Sequence, residues 1–334
     1  MELFQETLGF AAKGFIVFLT SVLTVAVIVA ITRRRRASFP RLEVKKLNAR
    51  FEALGDALRH GLWERKQLKE LIKTRKKQKD NPNRPHVYVL DFEGDLLATG
   101  VASLREEINA ITAVAKPDDE VVVRLESPGG GVPHYGLAAA QLTRLREKKL
   151  KLTVCIDRVA ASGGYMMACV ADRIVAAPFS IIGSIGVVAQ VPNMHRLLKK
   201  HDIDFEEMTA GEFKRTVSLF GEITEKGRQK FNEQLDETHL LFKDFVKTQR
   251  PKLDVDKVAT GEYWLAKRGL ELGLVDALST SDEYLLSRVQ DANVYQVTYK
   301  PDHPWRARLG RASAEITERV VMRVISRLQS LQLR

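Results

Sequence analysis

Three apolar runs in this chain, residues 121–125, 152–156 and 174–176, each lead into a glycine-rich turn, all within about sixty residues. The turns are Ser127-Pro128-Gly129-Gly130-Gly131, Ser162-Gly163-Gly164 and Gly183-Ser184-Ile185-Gly186. One such turn alone means little more than a tight reversal of the chain. Three in succession constrain the fold, because each places bare backbone at the end of a buried strand. Around them the pattern alternates. Residues 87–92 predict a further strand, and residues 103–115, 136–148 and 165–171 predict helices. A helix over 225–247 and a smaller helical region to about residue 290 follow. Strand–helix alternation at this spacing argues for βαβ units and an α/β fold. Residues 179–191 are apolar, but 13 residues interrupted by Gly183, Ser184 and Gly186 are too short to cross a bilayer. They predict a buried strand with turns.

The flanks have a different character. Residues 14–31 contain no charge over 18 positions and are followed by Arg33, Arg34, Arg35 and Arg36. That length spans a bilayer. Positive charge after the apolar stretch, with no small-residue cleavage site, reads as an uncleaved anchor and not a signal peptide. The positive-inside rule then puts the N-terminus outside and everything beyond Arg33 in the cytoplasm of a bacterial inner membrane. The formal net charge of +11 is concentrated near this anchor: residues 33–85 carry 18 Lys/Arg against 6 Asp/Glu, while residues 86–300 carry 27 against 31. A basic stretch beside an apolar segment points to anionic lipid or topology control, and no nucleic-acid partner is expected.

Val44, Leu47, Phe51, Leu54 and Leu58 recur at steps of 3 and 4, predicting an amphipathic helix in a basic stalk. That stalk either oligomerises, touches lipid or is a solvated spacer. Asn81-Pro82-Asn83-Arg84-Pro85 ends it, since proline cannot continue a helix. From Ile316 onward, Val320, Val324, Leu328 and Leu331 line one face of a basic helix that lies on a membrane, docks on a partner or packs on its own domain. The expected division is an anchor with its Arg cluster at 1–36, a basic helical stalk at 37–85, a catalytic domain at 86–290 and a basic amphipathic tail at 291–334.

Cys155 and Cys169 are too few for a disulfide framework and sit in apolar runs as small hydrophobes. The seven His show no zinc-like spacing and no phosphate-cradling loop occurs, so neither metal nor cofactor is expected. Backbone chemistry remains. Acyl transfer needs an exposed nucleophile and two N–H groups aimed at the developing oxyanion. Glycines let the backbone approach for that purpose, and a serine opening a helix gains from its positive end.

At this point the sequence resembles the signal peptide peptidase (SppA/SohB) family of bacterial serine peptidases, and most closely its inner-membrane branch. The resemblance covers roughly residues 86–290. It rests on residues 126–131, Ala161-Ser162-Gly163-Gly164-Tyr165, Gly183-Ser184-Ile185-Gly186-Val187 and Gly273-Leu274-Val275-Asp276. It implies a Clp protease/crotonase-type fold with a repeated ββα core, and a Ser–Lys dyad in place of a triad. It makes Ser162 the nucleophile and Lys214, in Gly211-Glu212-Phe213-Lys214, the base. Gly130 and Gly163 would supply the oxyanion hole and Ser184 would orient the lysine. Peptide or protein substrates and self-association follow from the same resemblance. A lysine ammonium has no lone pair, so it takes the Ser162 proton only where apolar surroundings favour its neutral form. Phe213, Val217, Leu219 and Phe220 could supply them, provided Glu212 and Arg215 point away. Three other readings compete: a triad using His134, an inert membrane scaffold binding peptides or lipid, and an acyl-CoA enzyme on the same fold class.

Overall fold

A computed structural model describes Thr20, Ser21, Thr24 and residues 42–79 and 84–301. The chain divides into two units, Glu43–Thr298 and Met1–Leu42 with Tyr299–Arg334. The order of elements is β1 (Leu42–Lys46), α1 (Leu47–Leu62), α2 (Arg65–Lys79), β2 (His86–Glu93), α3 (Val101–Val114), β3 (Glu120–Glu126), α4 (Val132–Glu147) and β4 (Lys151–Ile156). Then come β5 (Val159–Ala161), α5 (Gly163–Ala168), β6 (Arg173–Ala176), β7 (Ile181–Gly183), α6 (His195–Lys200) and α7 (Glu225–Gln249). The remainder is α8 (Val255–Val258), β8 (Tyr263–Leu265), α9 (Ala266–Glu271), β9 (Ala277–Leu278), α10 (Ser281–Asp291) and β10 (Asn293–Tyr299). The chain is thus α/β, as its alternating pattern indicates.

Seven strands form one sheet in the order β1-β10-β2-β3-β4-β6-β9, and β5, β7 and β8 form a second. From β10 to β9 every described ladder is parallel. A parallel sheet is covered on both faces, which is why its central strands read as unbroken apolar runs. Alternation along β2 sends Val87 and Val89 to one face, where they join Leu47 of α1, Val122, Leu285 of α10 and Val294. Leu90 and Phe92 take the other face and are buried, as are Leu104 and Ile108 of α3 and Leu142 of α4. Each such side chain contributes on the order of 1.5–3 kcal/mol by leaving water.

Sequence and structure differ at the N-terminal edge. Val44 lies in a strand and not in the amphipathic helix, which begins at Leu47. Asn48 explains the change. It is buried, donates to the Val289 and Ala292 carbonyls at 3.2 and 2.9 Å, and accepts from the Val294 N–H at 2.8 Å. One side chain therefore satisfies the backbone where α10 gives way to β10, and fixes the start of α1 there. Residues 179–191 also depart from a buried strand. Only Ile181–Gly183 is strand, and Phe179 and Val188 are about four-fifths exposed, because the segment runs along the rim of a cleft. Among the described residues no helix is long and apolar enough to cross a membrane. The anchor expected at 14–31, apart from Thr20, Ser21 and Thr24, and the helix expected from Ile316 lie outside the described residues.

The Gly273-Leu274-Val275-Asp276 run is a structural joint. Arg250 donates two hydrogen bonds to Asp276, at 2.9 and 2.6 Å, and the Ile174 N–H donates to it at 2.7 Å. Burial opposes its ionisation, but these donors hold its carboxyl below the usual range. A depressed carboxylate contributes stability above its ordinary value near 4, and that contribution is lost as pH falls through the lower, folded value. Asp276→Asn is expected to cost about 1–2 kcal/mol at neutral pH, allowing for its partial exposure. Thermal unfolding between pH 6 and 3 should show a shallower acid slope in the variant; an unchanged slope would refute the assignment.

Candidate active site

The three glycine-rich turns come together because their strands are neighbours. Ser127 bridges Ala160 in parallel, and β5 pairs with β7 so that Ala161 lies beside Gly183. The turn after β3, the turn after β5 and the turn after β7 therefore lie side by side. They line a cleft of about 880 Å³ with Leu96, Leu97, Pro128, Gly129, Gly130 and Ser162 on one part of its wall. Ser184, Gly186, Val187, Val188, His239 and Thr260 form much of the rest.

Ser162 sits between β5 and α5 with φ 53° and ψ −119°. A positive φ at a non-glycine residue costs on the order of 1–3 kcal/mol and persists only where surroundings enforce it. Here the Ser162 N–H donates to the Gly183 carbonyl at 2.7 Å, and its own carbonyl accepts from Met166 at 2.9 Å. The bend brings the half-buried side chain to the cleft while the helix behind it is wholly buried. Tyr165 anchors that helix: its hydroxyl donates to the Leu274 carbonyl at 2.9 Å, and burial pushes its pKa up.

The opposite lip is the turn at Gly129 and Gly130. Gly129 has φ +94°, and a Cβ there would lie 2.8 Å from Ser162 Cβ and 2.9 Å from Gly163 N. A Cβ at Gly130 would lie 2.3 Å from the Leu96 carbonyl oxygen. Only glycine fits both places. Ser127 sets the turn from below: its Oγ accepts from the Gly129 N–H at 3.0 Å and donates to Tyr135 Oη at 2.5 Å. The Tyr135 hydroxyl in turn donates to the Asp95 carbonyl at 2.8 Å. Among the described residues neither the Gly130 nor the Gly163 N–H has a hydrogen-bond partner.

Of the residues singled out in the sequence, Ser162, Ser184 and Gly130 line the cleft and Gly163 adjoins it. Lys214 does not. It is exposed, on a turn in which its N–H donates to the Gly211 carbonyl at 3.1 Å. It lines a separate cavity of about 660 Å³ with Phe205, Met208, Leu219 and Phe220. Glu212 pairs with Lys226, whereas Arg215, paired with Glu207, lines the same cavity as Lys214 and so does not leave it the apolar surroundings expected. The Lys214 segment is fastened to the start of α7, where a Cβ at Gly227 would lie 2.5 Å from the Thr216 carbonyl. His239 reaches the cleft twelve residues further along the same helix, about 18 Å away at 1.5 Å per residue. His134 is exposed beside Gly131 and is not among the cleft residues. Sequence reasoning passed over His239 and Thr260, which no local pattern distinguishes.

The sequence matches peptidase family S49 over residues 144–295 and the N-terminal region of the same family over residues 2–142. It is 47% identical over 335 residues to a Haemophilus influenzae protein named "Probable protease SohB", covering 93% of this chain and 95% of that one. A protein of the same name from Buchnera aphidicola is 57% identical over 208 residues, covering 62% of this chain and 68% of the other. A solved structure of a membrane-bound stomatin-specific protease aligns with a TM-score of 0.41 at 13% identity, covering 66% of this chain and 99% of that one. Two family profiles that together run almost the length of the chain, and a relative matched nearly end to end, agree: the chain belongs to peptidase family S49.

Proposed function

We propose that this chain is a membrane-anchored serine endopeptidase with a Ser162–Lys214 dyad, completed between subunits of a homo-oligomer. The observation that carries the reading is Ser162 itself, held at positive φ on the wall of a cleft beside two unpartnered glycine amides. In this mechanism Ser162 Oγ attacks the scissile carbonyl and its proton passes to neutral Lys214 Nζ. The oxyanion accepts from the Gly130 and Gly163 N–H groups. The lysine then protonates the leaving amine, leaving an acyl ester on Ser162. Water attacks that ester, again giving its proton to Lys214, and Ser162 is regenerated. Ser184 orients the lysine.

Lys214 lines a cavity separate from the Ser162 cleft and is exposed there beside Phe205, Met208, Leu219 and Phe220, with Glu207 and Arg215 also on its wall. A neighbouring subunit's cleft would give it both a serine and the dry surroundings that favour its neutral form. The alternation of strands between two sheets, β4-β5-α5 and then β6-β7-α6, suits the repeated ββα core of a Clp protease/crotonase-type fold. The peptidase domain spans 86–290 and takes an edge strand, β1, from the stalk range (37–85) and the strand beside it, β10, from the tail range (291–334). Residues 1–36 anchor it in a bacterial inner membrane, with the body on the cytoplasmic side. Leu96, Leu97, Val132, Val187 and Val188 along the cleft suit apolar segments of signal-peptide-like or misfolded membrane-associated polypeptides.

A membrane-impermeant fluorophosphonate probe tests this reading. It is expected to label Ser162 in lysed cells, to leave Ser162→Ala unlabelled, and to spare the protein in intact cells. An unlabelled Ser162 would favour the inert scaffold, and labelling in intact cells would reverse the sidedness.

A further inference from the structure

Among the described residues that line the Ser162 cleft, His239 is the one titratable side chain. It projects from the middle of α7, a 25-residue helix whose start is capped by Thr224, with Oγ1 accepting from the Gly227 N–H at 3.1 Å. Its Nε2 lies 3.2 Å from the Ile185 carbonyl oxygen. A carbonyl oxygen can only accept, so Nε2 carries the proton and donates. The same oxygen accepts from the Gly261 N–H at 3.2 Å, so both of its lone pairs are engaged.

That carbonyl belongs to a loop under strain. Gly183 and Ser184 have φ of 86° and 51°, and a non-glycine residue at such a φ must be held by its surroundings. On one side the holding groups are backbone: the Ser184 N–H donates to the Glu262 carbonyl at 2.8 Å. On the other side α7 holds the loop through His239. What the loop holds in turn is the nucleophile, since the Gly183 carbonyl accepts the Ser162 N–H.

We infer that His239 is a positioning residue for the reaction: its Nε2–H, by bonding the Ile185 carbonyl, fixes the Gly183–Gly186 loop and thereby the placement of Ser184 and Ser162. The inference rests on Ser162 being the nucleophile, as proposed above. It assigns His239 no proton transfer, so a neutral side chain that donates from the same place should replace it. A displacement of about 1 Å in a reacting group costs up to roughly 100-fold in rate.

The test uses the full-length protein in detergent micelles, a fluorogenic peptide of Leu, Val and Ala residues, and the variants His239→Ala and His239→Gln. His239→Ala is expected to lower kcat by about 10- to 100-fold, to slow fluorophosphonate labelling of Ser162 by a similar factor, and to leave KM within about twofold. His239→Gln, which keeps a donor at similar reach, is expected to recover most of the kcat. Should His239→Ala unfold, the Gln variant alone decides, read against its own thermal midpoint. Wild-type kcat in His239→Ala would overturn the inference. So would a folded His239→Gln as inactive as Ser162→Ala, since that would make the imidazole a proton carrier. Lys214→Ala is run in parallel: full activity there would refute the Ser–Lys reading and leave the His239 result standing.

Discussion

Mixing Ser162→Ala and Lys214→Ala chains is expected to restore peptide cleavage that neither variant shows alone. Each substitution by itself should lower kcat by about 10⁴-fold or more, since the parts of a catalytic unit fail together. The folded state should survive both changes, because Ser162 is half-buried and Lys214 exposed. Recovery follows from the placement of the lysine. If each site takes its serine from one subunit and its lysine from the next, a random mixture of the two variants leaves about a quarter of head-to-tail interfaces intact. The measurement is the initial rate of the co-purified mixture, with both chains shown in one particle by distinct tags. A mixed particle with no recovered activity would sink a dyad shared between subunits. Substantial activity in either single variant would sink the dyad itself.

Gly130→Ala should be the second most damaging change. The added methyl would meet the Leu96 carbonyl oxygen at 2.3 Å, and backbone cannot swing aside as a side chain does. The turn must shift, and it cannot shift far, because the Gly131 N–H is bonded to that same Leu96 oxygen at 2.9 Å. The Gly130 amide then turns from the oxyanion. Loss of one such donor costs about 10²- to 10³-fold in kcat. KM should change little, and the thermal midpoint should fall by only a few degrees. A variant with near-normal kcat would show that the Gly130 amide has no part in the reaction.

Much of the fold was legible because a parallel sheet buried on both faces writes itself as uniform apolar strands. Residues 87–92, 121–125 and 152–156 needed no finer pattern than that. The edge was not legible in the same way. Leu42–Lys46 carries apolar residues at positions that suit a helix as well as a short edge strand, and Asn48, which settles the matter, acts on residues more than 240 positions away. At the site, the three glycine-rich turns showed through because glycine is required where backbone must touch backbone, while the roles given to Ser162 and Gly130 came from the family resemblance. Tyr165 and Asp276, part of the family resemblance, hold the framework through the Leu274 carbonyl, Arg250 and the Ile174 N–H. Lys214 could be reached only by resemblance, since a lysine on an irregular segment carries no periodicity. His239 carried no signal at all. It is one polar residue among many on α7, and its partner lies 54 residues away.

The place of β10 in the large sheet has a consequence for timing. Residues 293–299 lie between β1 and β2, so the first strand of the sheet gains its neighbour only after nearly all of this unit has been synthesised. The helix that follows Ser162 waits almost as long, for the Tyr165 hydroxyl finds its acceptor 109 residues downstream. On the ribosome, where chains emerge N-terminus first, a half-made chain would carry Ser162 on a helix without its anchor. Peptide-cleaving competence thus arrives late in translation, more than a hundred residues after the serine has been added to the chain.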